Sequence, residues 1–146
     1  MKLLDELRAA GRGQDMQALV EAIPYARFLS VSVDRKGNEI TTIMPFADRI
    51  VGNTTLPAIH GGVLGAFLEM TCVIQLLFDT SCESLPKTVD FSISYLRSGK
   101  PMETYGRAIV TRRGRRVANV RAELWQEEIG RPITTGHGHF LMAPLG

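Results

Sequence analysis

The sequence predicts an α+β fold, an antiparallel sheet wrapped around one long central helix with short helices ahead of it. Three observations lead there. Segments with strand patterning outnumber helical ones. Residues 59–78 are apolar on every side rather than along one stripe, which marks a helix enclosed by protein all round. One enclosed helix among strands must lie against a sheet large enough to wrap it, which places the fold in the α+β class. With 146 residues, no internal repeat and no long polar linker, the chain reads as one domain, 1–146.

Residues 3–10 and 16–22 read as two helical pieces broken by Gly11 and Gly13, a helical cap over residues 1–24. Residues 26–33 and 39–45 hold several β-branched side chains and flank the turn formers Asp34, Arg35, Lys36, Gly37 and Asn38, so they are expected to form a hairpin. A loop with Asp48, Gly52, Asn53 and Pro57 then leads into the apolar helix. From Thr88 the period becomes two: Val89, Phe91, Ile93 and Tyr95 alternate with Thr88, Asp90, Ser92 and Ser94, the pattern of a half-buried strand. Strands at 102–112 and 117–126 follow, joined by a basic turn at Gly114, with Ala118, Val120, Ala122 and Leu124 as the inward row of the second. A last strand covers 131–143.

Charge excludes some functions. Lys and Arg number 17 against 15 Asp and Glu, and a net charge of +2 is too small to argue for nucleic acid as a partner. Cys72 and Cys82 stand alone without CxxC spacing, which favours neither a disulfide framework nor zinc and makes the reducing cytoplasm the expected location. Asp5, Glu6 and Arg8 interrupt the apolar core that a secretory signal would need. The long apolar segment contains His60, Glu69 and Gln75 and lacks basic and aromatic flanks, so a buried helix is expected rather than a membrane span.

Glu69 is the only charged side chain in that segment, and the triplet His60, Gly61, Gly62 begins nine positions before it. A lone carboxylate in apolar surroundings is costly unless it is paired, protonated or employed. With a helix opening at Gly61, the first free N–H groups fall at Gly61, Gly62 and Val63, where the helix dipole favours a developing negative charge. Two glycines let a ligand approach this backbone with no Cβ in the way. Such a start is an oxyanion site. Glu69 lies about 13 Å farther along the axis than His60 and about half a turn round, at about 1.5 Å and 100° per residue. One helix cannot turn both groups to one carbonyl. Two copies running antiparallel about a two-fold axis can, so the chemistry requires a homodimer.

The run LPAIHGGVLGAFLEM, the helix that continues from it and the strand TVDFSISYLRSGKP together resemble the hotdog-fold acyl-CoA thioesterases of the PaaI and hydroxybenzoyl-CoA type, over about residues 25–143. The HGG with an acidic residue nine positions after its His is the specific part; the other strands are generic. The resemblance implies a hotdog fold with the site at a subunit interface, dimers pairing further into a homotetramer, and hydrolysis of an acyl-CoA substrate without a cofactor. It implies Glu69 as general base or nucleophile and the Gly61 N–H as the group that polarises the carbonyl. His60 either touches the thioester or fixes the helix start. By the same resemblance Asn53 or Thr54 stands where relatives carry a loop-orienting Asn or Gln, and Thr88 where some carry a Ser or Thr that positions water, with Gly62 beside the substrate.

CoA carries phosphates, which call for basic side chains at the rim. Arg112, Arg113, Arg115 and Arg116 cluster around Gly114, and Arg97 and Lys100 follow the long strand; a solvated turn is the plain alternative. His137 and His139 share a strand face, but no third ligand has suitable spacing, so no metal is expected. Phe67, Leu68, Phe78, Phe91 and Tyr95 read as core rather than as an acyl pocket. Two other functions compete. A hotdog dehydratase would share the PAIHGGVLGAFLE pattern, yet that group places a His well before the Pro and this chain has none there. A non-catalytic acyl-CoA-binding module would leave Glu69 purely structural.

Overall fold

A computed structural model describes residues 16–79 and 85–142. The expected helix over residues 3–10, and Cys82, lie outside the described residues. The first described helix, α1 (Met16–Glu21), buries Met16, Leu19 and Val20, the i, i+3, i+4 set of one helical face. Pro24 then opens a second short helix, α2 (Pro24–Phe28), from the first-turn position where its missing N–H costs nothing. The expected strand over 26–33 is therefore corrected: α2 takes its first half, and β1 (Ser32–Lys36) starts only after Ser30 has taken a left-handed backbone, φ 58°. The hairpin to β2 (Glu39–Met44) closes on Gly37 and Asn38 alone, because Asp34, Arg35 and Lys36 belong to the strand.

A 3-10 turn (Asp48–Ile50) leads to two short paired strands, β3 (Val51–Asn53) and β4 (Ala58–Ile59), which the sequence pattern did not reveal. Directly after them comes α3 (Gly61–Asp79), followed by β5 (Lys87–Tyr95), β6 (Thr104–Arg113), β7 (Val117–Trp125) and β8 (Thr134–Leu141). The main sheet is antiparallel with the order β1-β2-β6-β7-β8-β5. This is the hotdog architecture, six strands around a long helix. Ala118, Val120, Ala122 and Leu124 form the inward row of β7, as their alternation predicts.

Helix α3 crosses the sheet diagonally. Near its start Gly65 lies against Ile93 and Tyr95 of β5, Leu68 lies against Gly136 of β8, and the Thr71 hydroxyl meets that of Thr42 in β2 at 2.8 Å. At its far end Phe78 carries the Arg35 guanidinium of β1, 4.9 Å from the ring centre. Phe67, Leu68, Cys72, Ile74 and Leu76 are all buried, and each large side chain contributes about 1.5–3 kcal/mol by leaving water. Among the described residues α3 alone has the length and apolarity of a membrane span. Here those side chains pack against the sheet.

Strand β5 lies at the sheet edge, and its expected alternation breaks at one point. Thr88 pairs with Phe140 and Asp90 with His139, which leaves Val89 as an extra residue in a β-bulge. Cross-strand partners share a face, so Thr88 stands on the helix side with the buried Phe140, in register with Phe91 and Ile93, while Val89 is exposed. The inward row is thus Thr88, Phe91, Ile93 and Tyr95 rather than Val89, Phe91, Ile93 and Tyr95. Tyr95 is also not core: it is 53% exposed.

Candidate functional site

The start of α3 is held from three sides. The His60 N–H donates to the Ile50 carbonyl at 2.8 Å and the Ile59 N–H to the Gly99 carbonyl at 2.9 Å, so the small β3–β4 ladder and the loop before β6 fix the chain where the helix begins. The His60 carbonyl accepts from the N–H groups of Val63 and Leu64, at 3.0 and 3.1 Å. The His60 side chain folds back as a cap, its Nδ1 accepting the Gly62 N–H at 2.8 Å. A Cβ on Gly62 would sit 2.9 Å from that ring and push it off the cap, so the cap needs glycine here. With Nδ1 an acceptor, neutral His60 carries its proton on Nε2 and presents a second donor at the helix start.

One peptide donor of this turn stays open. Among the described residues nothing accepts the Gly61 N–H, while Gly62, Val63 and Leu64 are engaged. A helix start with one free N–H, a dipole behind it and no Cβ in front can receive an oxygen that gains negative charge.

Glu69 lies eight residues along, about 12 Å from Gly61 on the axis. It is half-buried, on the helix face shared with Gly62, Val63, Ala66 and Met70, which the chain's own sheet leaves uncovered. It makes no ion pair or hydrogen bond among the described residues. Its charge is felt at Cys72: burial pushes that thiol's pKa far up, and the Glu69 carboxylate adds to the effect. Cys72 is therefore a poor nucleophile.

The remaining predicted residues fall into two groups at opposite ends of the sheet. Arg97 follows β5 on the side of the helix start and turns its guanidinium onto the Pro132 carbonyl at 2.6 Å; Lys100 pairs with Glu127 at 3.0 Å. Asn53 uses its side-chain oxygen within its own loop, accepting from the N–H groups of Thr55 and Leu56 at 3.0 and 3.3 Å. Thr88 lies at the other end of β5, seven residues from Tyr95 and roughly 20 Å away at about 3.3 Å per residue. The arginine turn shares that far end, because Val117 pairs with Leu141 and Leu141 with Lys87. Arg112, Arg115 and Arg116 line one open depression of about 890 Å³ with Asn119 and His139. Arg113 pairs with Ala118 and so takes the opposite face. Among the described residues no carboxylate pairs with these four arginines. His137 and His139 do not form a metal cluster with other described side chains; His139 Nδ1 bonds Asp90 at 2.8 Å, which holds that carboxyl below its ordinary pKa.

A single chain therefore brings together His60, Gly61 and Gly62 with Arg97 nearby, and keeps Glu69, Thr88 and the arginine turn away from them. Sequence reasoning missed one member of the site, having placed it in the core. The Tyr95 hydroxyl donates to the Gly61 carbonyl at 2.8 Å. No local pattern marks it, because the bond depends on which strand end lies beside the helix start.

A family model described as the thioesterase superfamily matches residues 56–133. Among solved structures, a protein from Chromobacterium violaceum is 31% identical with a TM-score of 0.75, each chain covered in full. A phenylacetic acid degradation-related protein from Ralstonia eutropha is 22% identical over 95% of this chain and 98% of its own, with a TM-score of 0.72. A Bacillus halodurans protein solved with CoA is 16% identical over 99% of this chain and 90% of its own, with a TM-score of 0.75. No curated protein matches the chain.

Proposed function

This chain belongs to the thioesterase superfamily, and on that premise we propose that it hydrolyses acyl-CoA thioesters to the free acid and CoA at a site completed by a second copy of itself. The observation that carries the reading is the Gly61 N–H, the one peptide donor of the helix start left open among the described residues. Bound there, the thioester carbonyl oxygen gains negative charge against the N–H and the helix dipole as the carbonyl carbon is attacked. The partner subunit's Glu69 takes a proton from water as the water oxygen adds to that carbon; the tetrahedral adduct collapses, the C–S bond breaks, and the CoA thiolate leaves with that proton. Direct attack by the carboxylate, giving an anhydride that water then opens, uses the same two groups.

The homodimer is supported by what one chain leaves unfinished. Glu69 stands in an uncovered apolar stripe, and the neighbouring edge strand exposes Val89, Ile93 and Tyr95, with Leu96 exposed directly after it. A two-fold copy running antiparallel along β5 brings the partner subunit's Thr88 toward the Tyr95 end, where it can position the attacking water. The same operation carries the partner's arginine turn, the expected holder of CoA phosphates, from the far end toward the helix start. A neighbour of the same fold solved with CoA supports the choice of thiol. Dimers pairing again into a homotetramer would keep two such sites per dimer.

Thiol release measured across a panel of acyl-CoAs tests the proposal, with Glu69→Gln run alongside. The parent should release CoA, and the variant should lose about 10²-fold or more of kcat while still binding acyl-CoA. Binding without turnover in the parent would make the chain a carrier module, hydration of an enoyl thioester would make it a dehydratase, and unchanged turnover in the variant would remove Glu69 from the reaction.

A further inference from the structure

We infer that Tyr95 is a positioning residue for the open Gly61 donor, acting through the peptide that joins Gly61 to Gly62; the inference rests on the oxyanion reading given above. That peptide is held at both ends. Its carbonyl accepts the Tyr95 hydroxyl at 2.8 Å, and its N–H donates to His60 Nδ1 at 2.8 Å. The peptide before it is held at its carbonyl, which accepts twice, and is free only at the Gly61 N–H. Gly61 is the hinge between the two. Without a Cβ it is the least restricted residue of the turn, and rotation there would swing the donor away from a forming oxyanion. Tyr95 adds a second hold on the Gly61 carbonyl beside its helix bond, and so stiffens the hinge.

Two features say that the bond is there for geometry rather than for satisfaction of a buried group. The Gly61 carbonyl already has an acceptor's place in the helix ladder, toward the N–H four residues on, so it needs no further donor. Tyr95 itself remains 53% exposed, so its hydroxyl is not seeking a partner to escape burial. The ring packs closely over two glycines: a Cβ on Gly65 would come within 3.3 Å of the hydroxyl and 2.8 Å of Ile93, while one on Gly61 would meet the ring in ordinary contact at 3.5 Å. The hydroxyl also polarises the shared peptide and strengthens its N–H toward His60, which keeps the imidazole with its proton on Nε2. One tyrosine on an edge strand thereby orients both candidate donors, Gly61 N–H and His60 Nε2–H.

Tyr95→Phe keeps the ring and removes the bond. The expected result is a loss of about tenfold in kcat with KM for acyl-CoA within about twofold, an unchanged melting temperature and an unchanged oligomeric state. A kcat within twofold of the parent overturns the inference, and so does a loss that comes together with melting or dissociation, since the hydroxyl is then merely structural. Amide hydrogen exchange gives a readout independent of hydrolysis. The Gly62 N–H should exchange about tenfold faster in Tyr95→Phe, whether or not the parent cleaves thioesters, and equal exchange overturns the inference. Absence of hydrolysis in the parent with faster Gly62 exchange in the variant would sink the thioesterase reading alone.

Discussion

Asp90 and His139 meet across β5 and β8 at 2.8 Å, both on the sheet face that points away from α3. The hydrogen bond from His139 is the largest cause that lowers the Asp90 pKa, ahead of the charges of His139 and His137, and it outweighs the opposing effect of desolvation. A carboxyl lowered on folding adds stability above its unfolded pKa, and that gain disappears as pH falls through the lowered folded value. Replacing His139 by Phe should return the Asp90 titration upward toward the ordinary carboxylate range, read from its carboxyl carbon shift by NMR. An unmoved titration would assign the shift to His137 instead. At this scale the sequence was most legible where the chemistry is local: Glu69 and the HGG declare themselves by being out of keeping with their neighbours. Tyr95 did not, because its partner is 34 residues away and its alternation with Ser94 reads as packing.

Helix α3 was legible as an element because no stripe of polar residues interrupts it, and its start was readable from two glycines after a His. Its burial sets its energetics. Leu68 is wholly buried against β8, and Leu68→Ala should cost about 2–5 kcal/mol, seen as a lower urea midpoint with an unchanged slope. A loss under 1 kcal/mol would mean that the space closes or that the helix does not dock as described. The strands were readable by period, their boundaries within a few residues. Two departures have distinct causes. Helix α2 is five residues long, too short to display a helical period, although Pro24 carried the signal for its first turn. The bulge at Val89 has no composition of its own in Thr-Val-Asp-Phe; the pairing of β5 with β8 decides it.

The whole molecule adds what neither residues nor elements contain, the side on which α3 begins. Its start lies over β5, the sheet edge, and its end lies near β1, so the open donor and the uncovered carboxylate face outward at an edge that a two-fold copy can meet. Mixing Glu69→Gln chains with Gly61→Val chains tests this. Each alone should be inactive, and a mixed pair should regain one intact site, giving about a quarter of parental activity after random one-to-one exchange. The Gly61 position has room at Cβ, so the second variant should fold. Verified mixed pairs with no recovery would place both groups of a site in one chain. The single extra residue at Val89 then carries a consequence for how this family member can change. Loss of Val89 would set Thr88 directly before Asp90, still opposite Phe140 on the helix side, so the strand can shed its bulge without turning Thr88 over, whereas loss of a residue between Phe91 and Tyr95 would reverse the parity of everything before it.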